Sequence, residues 1–244
     1  MHALTRKGGS TMTLSKVIPQ FSQGSDSAAL QKDSPAVLYT FGEAIFNSIT
    51  HGAGVLLSLA GLVTLVAITV SQGYVRSIIS YGIYGLTLVI LYVCSTIYHS
   101  AGSGKTRSIF RILDHASIYL LIAGSYTPIT LVYLGGVWGW SLFGIVWGLA
   151  IVGVVLNMAS FEKTKRFAFA LYFLMGWLAV VAVRPMLLKA PPGLLAMILA
   201  GGLFYTAGII FFAAKKIPFH HGIWHLFVLA GSACHFLGFL FYLT

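Results

Sequence analysis

Charge is scarce in this sequence: 8% of its 244 residues are Asp, Glu, Lys or Arg, against about 25% in an ordinary soluble domain. A chain so poor in charge and 58% apolar cannot present a water-facing surface all round, which excludes a conventional soluble enzyme or binding module. Acidic residues are rarer still, five against fifteen Lys and Arg. The net charge of +10 nevertheless does not point to nucleic acid, because the basic residues are scattered through a tail and short loops and form no basic helix or groove. Only two cysteines are present. Cys94 and Cys234 both fall inside apolar runs, so the pair gives no case for a secreted disulfide framework and packed free thiols are expected. No internal repeat is visible, which argues against transporters built on paired broken helices. No apolar stretch precedes Val37, so the first span is expected to act as its own insertion signal.

What the chain has instead is a series of long apolar runs. Seven spans are expected at about 44–70, 77–99, 112–134, 138–159, 167–184, 194–214 and 220–243, close to the roughly 20 residues a helix needs to cross the hydrocarbon core. The fold class is therefore all-α, a polytopic membrane protein with seven transmembrane helices. Residues 1–38 are polar and expected to be a disordered tail, and 39–244 form the transmembrane domain. Twelve of the fifteen Lys and Arg lie in that tail and in the second, fourth and sixth loops, leaving Arg76, Arg184 and Lys189 on the other side. By the positive-inside rule the N-terminus is cytoplasmic and the C-terminus outside. Glycine is plentiful at 27 residues, and pairs such as Gly144 and Gly148 are expected at close helix contacts. Pro128 is expected to kink the third span, where freed backbone groups need partners or line a cavity.

Two of the five acids are informative. Asp26, Asp33 and Glu162 lie in the tail or a loop, where a charge stays in water. Glu43 stands at the entry to the first span and Asp114 at the expected entry to the third, where a carboxylate begins to meet low dielectric. For either acid alone, charge matching to a helix N-terminus is sufficient explanation. The histidines change this. Glu43, Asn47 and His51 are spaced by four, as are Ser95 and His99, and again His221 and His225, so each set projects from one helix face. With the N-terminus inside, the start of the first helix, the end of the second and the starts of the third and seventh all meet at the cytoplasmic side. His99, His221 and His225 then supply three imidazoles, the number a catalytic zinc site takes beside an open fourth position. The competing reading is a hydrogen-bonded histidine cluster that holds three helices together. His51 is either a neighbour of the ligands or packed, and His235 lies too deep to be a ligand, roughly 15 Å beyond His225 at 1.5 Å per residue. His115 and His220 are turned about 100° from the favoured faces.

These residues resemble a known family. Glu43-x3-Asn47-x3-His51, Ser95-x3-His99 with Asp114 following, and His221-x3-His225 are similar to the three motifs of the hemolysin III proteins, which belong with the adiponectin and progestin receptors. The likeness covers about residues 38–244 and points to the bacterial branch, and so to the bacterial inner membrane. It implies a seven-helix fold with Zn2+ held by His99, His221 and His225, with Ser95 and Asp114 beside the bound water. Related members are linked to hydrolysis of lipid amides such as ceramide, and the bacterial branch to hemolysis or to membrane fluidity and energy homeostasis.

The expected chemistry follows from a zinc ion that acidifies water and polarises a carbonyl. In a lipid amide or ester hydrolase, Asp114 would accept the proton, Ser95 would position the water or donate to the oxyanion, and Glu43, Asn47 and His51 would orient their neighbours. The partners are membrane lipids. The alternative is a non-enzymatic sensor or receptor with structural zinc. A pore-forming cytolysin is disfavoured because the spans lack the polar stripe of a wide channel. A retinal protein is excluded because residues 220–243 contain no Lys, and a G-protein-coupled receptor is excluded by the expected orientation.

Overall fold

A computed structural model describes residues 40–243, with the backbone alone at 165 and 166. The expected tail, 1–38, lies outside the described residues. All regular structure among the described residues is helical: α1 (Phe41–Gln72), α2 (Val75–Ser100), α3 (Lys105–Pro128) running into a π-helical turn (Ile129–Leu134), α4 (Gly136–Ala159), α5 (Phe161–Trp177), a 3-10 turn (Leu178–Ala182), α6 (Val183–Lys189), α7 (Pro192–Ala213) and α8 (His220–Phe241). Seven stretches are long and apolar enough to cross a membrane, the fifth being built from α5, the 3-10 turn and α6 as Phe167–Lys189. The chain is therefore a multi-pass membrane protein, and its outward Leu56, Val63, Ile151 and Val155 are exposed apolar side chains suited to lipid.

Local chemistry sets the ends of these helices. Thr40 caps α1 in a reciprocal box with Glu43, whose carboxylate accepts from the Thr40 backbone N–H at 2.9 Å. Gly73 closes the same helix with φ 76°, a left-handed conformation open to glycine without steric cost. Pro192 begins α7 at a position where its missing N–H would have had no helical partner.

Neighbouring helices pack along the bundle from α1 to α4, α7 pairs with α8, and α1 against α8 joins the two groups. Near the middle, Ser232 ties three helices together: its hydroxyl accepts from Tyr92 at 2.8 Å and bonds the Tyr205 hydroxyl at 2.9 Å. Such partnering is required where no water reaches buried polar groups. A cavity of ≈ 170 Å³ lies between α3, α5, α7 and α8.

Four details differ from expectation. The third helix begins at Lys105 rather than near 112, so Asp114 is more than two turns inside it and is no first-turn charge match. The fifth span runs on past Arg184 to Lys189, whose Nζ donates to the Leu134 carbonyl at 2.6 Å. A Cβ added at Gly144 or Gly148 would meet nothing within 4 Å, so this pair serves no close contact; Gly124 does, because its Cβ would fall 2.1 Å from Thr87 Oγ1. At Pro128 the α-helix passes into the π turn rather than continuing as regular α-helix, and Ile129 of that turn borders the cavity.

Candidate metal centre

α2 ends where α1 and α8 begin, and this antiparallel meeting gathers the polar residues. His99 lies in the last turn of α2, and His221 and His225 in the first two turns of α8. All three are buried, and one ligand atom from each lies within 4.8 Å of the others. His99 Nε2 and His221 Nε2 are 3.2 Å apart. Two nitrogens at 2.0–2.1 Å from one tetrahedral zinc would stand about 3.3 Å apart, so this pair has the spacing of two ligands. The ring centroids of His225 lie 5.0 Å from His99 and 4.6 Å from His221. With one nitrogen of each ring within 4.8 Å of the others, a single ion can lie among the three. The donor set therefore fits a metal ion.

The orientation of His225 is set from α1. Thr50 Oγ1 donates to the Phe46 carbonyl at 2.9 Å and stands 3.1 Å from His225 Nδ1. Its proton being committed, the hydroxyl accepts from Nδ1–H, which leaves Nε2 of His225 as the free ligand atom. His51 stacks on the face of the same ring, with ring centroids 3.5 Å apart and planes 16° from parallel. Both His51 nitrogens and both polar side-chain atoms of Asn47 are buried and lack hydrogen-bond partners among the described residues. Unmet polar capacity of this kind beside a histidine triad calls for a polar partner such as a water or an ion.

Asp114 and Ser95 face the same cavity as His51, His221 and His225. The Ser95 hydroxyl is close enough to interact with the Asp114 carboxylate, though not within hydrogen-bond geometry. His115 Nδ1 lies 3.6 Å from Asp114 Oδ2, while its proton is donated to the Arg111 carbonyl at 2.9 Å. Glu43 stands apart from the triad. Its Oε1 accepts from the Phe219 backbone N–H at 3.1 Å, immediately before α8, so it holds the start of the helix that carries two of the histidines.

The sequence does not single out Thr50, and its spacing turns His115 away from the favoured faces. Thr50 is three residues beyond Asn47 and seven beyond Glu43, on the face those residues define, and that phase is the signal that could have found it. His115 has no such phase, because adjacent helical residues diverge by about 100°. His235 borders the cavity and makes no approach to the triad.

A family model described as haemolysin-III related matches residues 39–236. Hemolysin-3 of Bacillus cereus is 42% identical over 200 residues, covering 82% of this chain and 91% of that protein. A hemolysin-3 homolog of Bacillus subtilis is 43% identical over 205 residues, covering 84% and 96%. The human monocyte to macrophage differentiation factor is 32% identical over 161 residues, covering 63% and 66%. With seven membrane-crossing helices and a family model matched over residues 39–236, the chain belongs to the haemolysin-III family of multi-pass membrane proteins.

Proposed function

We propose that this protein is a zinc-dependent hydrolase of the bacterial inner membrane that cleaves a lipid amide or ester. The observation that carries this reading is the sharing of one largely apolar cavity by Ser95, Asp114, His221 and His225. A carboxylate and a hydroxyl beside three imidazoles, open to an apolar space, match the needs of a carbonyl attached to an acyl chain. Zinc held by His99, His221 and His225 would supply Lewis acidity toward that carbonyl and acidify the attacking water. Asp114 would accept the proton of the water, and Ser95 would donate to the developing oxyanion. Thr50 would hold the His225 ring at its edge and His51 on its face. Asp114→Asn should keep about one zinc per chain by mass spectrometry and lower hydrolysis of a lipid-amide panel by about 10²–10⁴-fold; unchanged turnover would remove Asp114 from this role. His225→Ala, and a His99/His221 double alanine variant, should lose the metal, whereas metal-free wild type purified without chelator would overturn the zinc site.

The orientation that goes with this reading has the N-terminus and the triad on the cytoplasmic side, supported by twelve of the fifteen basic residues. Alkaline phosphatase fused to the C-terminus should then be active, and an inactive, membrane-inserted fusion would reverse the topology.

A second reading rests on a separate observation, that the triad links α2 to α8. In a non-enzymatic regulator of membrane state, zinc would couple those helices and lipid packing would shift their separation. A cellular phenotype retained by zinc-loaded Asp114→Asn would favour that regulator.

A further inference from the structure

The cavity continues well past the triad to His235, Tyr205 and Gly202. His235 is ten residues beyond His225 on the same helix, about 15 Å at 1.5 Å per residue. Its side chain is only 7% exposed. The ring Nε2 lies 3.1 Å from the Ile198 carbonyl, and a carbonyl only accepts, so Nε2 carries the proton. In the neutral ring Nδ1 is then a bare acceptor, and it has no hydrogen-bond partner among the described residues. The ring is not free to turn away from this arrangement. Gly201 leaves room for it, because a Cβ there would fall 2.3 Å from His235 Cδ2, and Tyr205 packs edge-on at 5.4 Å.

Other polar groups around this end of the cavity are engaged. Tyr205 bonds Ser232 at 2.9 Å, and Thr206 donates to the Gly202 carbonyl at 2.8 Å while accepting from Trp177 at 3.2 Å. The unmet capacity is thus an acceptor, and what satisfies it must bring a donor. Packing alone accounts for a buried histidine, but it does not account for an unpaired ring nitrogen in a side chain that borders a cavity leading to a carbonyl-activating centre.

We propose that His235 forms a second recognition point in the cavity, where Nδ1 accepts a hydrogen bond from a hydroxyl carried part-way along the acyl chain of a bound lipid. The ligand class is an acyl amide or ester with a hydroxyl roughly 15 Å from its carbonyl, measured along α8. This inference rests on the lipid-binding part of the function proposed above, not on turnover. The apolar stretch between the two ends, bordered by Ile118, Ile122 and Val228, takes the intervening methylenes.

Ricinoleamide and oleamide differ only by a mid-chain hydroxyl and serve as the probes. Each is titrated against a fluorescent acyl probe on purified, zinc-loaded protein in nanodiscs, and the same samples are assayed for released fatty acid. Wild type should bind ricinoleamide about three- to tenfold more tightly than oleamide, the worth of one net hydrogen bond. His235→Phe should erase that preference while keeping its affinity for oleamide, which also reports that the variant is folded. His235→Gln, with an amide to serve Ile198 and an oxygen to accept, should restore part of it. Equal affinities in wild type would overturn the proposal and leave Nδ1 satisfied by water only; a preference that survives in His235→Phe would overturn it as well. A His235-dependent preference without released fatty acid would instead remove the hydrolase reading and leave this site standing.

Discussion

The smallest unit of the site that explains its geometry is the pair Thr50 and His225. A helical threonine ordinarily satisfies its hydroxyl on the carbonyl four residues back, and Thr50 does so on Phe46. That bond gives it a function, because the committed proton turns its lone pair toward His225 Nδ1. Thr50→Val keeps the shape and removes the acceptor, so zinc affinity should fall by about 10–100-fold, as for other partners of metal-bound histidines, with little change in the apo protein's Tm. Competition with a zinc chelator of known affinity measures this, and wild-type affinity in Thr50→Val would remove the residue from the site. The three histidines themselves were legible, since His221 and His225 share a face by spacing and His99 reaches the same end of the bundle. Thr50 was not, because nothing in a sequence distinguishes a threonine that only bonds its own helix from one that also meets a ring 175 residues away. His51 lay between these cases: its phase was readable, but the stacking on His225 is a tertiary fact.

At the scale of the element, α8 is positioned by its first residue's neighbour. Phe219 precedes it in a left-handed conformation, φ 56°, which is unfavourable for a side chain of that size. Two contacts hold it there: Glu43 Oε1 accepts its N–H, and its ring packs edge-on against Phe46 at 5.7 Å. Glu43 therefore serves two helices, capping α1 with one oxygen and anchoring the start of α8 with the other. Glu43→Ala should cost about 1–2 kcal/mol from the lost cap and cross-helix bond, lowering Tm by about 3–6 °C. Zinc affinity should weaken with it, because His221 follows Phe219 by two residues. Glu43→Gln keeps an acceptor and should retain most of both. Differential scanning fluorimetry across the two variants decides this, and wild-type values in Glu43→Ala would leave Phe219 held by its ring contact alone. Most helices were readable from hydropathy, but two boundaries were not, for definite reasons. Lys105, Arg107 and Arg111 depress the hydropathy of a first segment that is nevertheless helical, and Arg107 is itself engaged, donating to the carbonyls of Ala101 and Gly102 at 3.1 Å. The break after Trp177 has no proline to announce it. Tyr126, from another helix, accommodates it by donating to the Gly176 carbonyl at 3.0 Å and accepting from the Ala179 N–H at 2.8 Å.

For the whole molecule, the number of spans followed from composition, whereas the cavity depends on which helices pack closely and which stand off. The helices from α1 to α4 form one packed group and α7 with α8 another, and the triad bridges the two through α2 and α8. An ion held there binds the native bundle and has no comparable site in an opened one, so its binding free energy adds to stability by linkage. At free zinc a hundredfold above Kd the gain is about 2.7 kcal/mol, which for a chain of this length corresponds to a Tm higher by roughly 5–10 °C. Chelation should therefore lower the Tm of the wild type by that amount and leave His225→Ala unmoved, while zinc titrated back should restore it in the wild type alone. A zinc-containing wild type whose Tm ignores chelation, with loss of the metal verified in the same sample, would mean that the interface between the two groups is closed by packing without help from the ion. The metal's contribution would then be confined to chemistry at the cavity, which strengthens the hydrolase reading over the sensor, because a sensor that works through zinc needs the ion to bias how α2 and α8 sit.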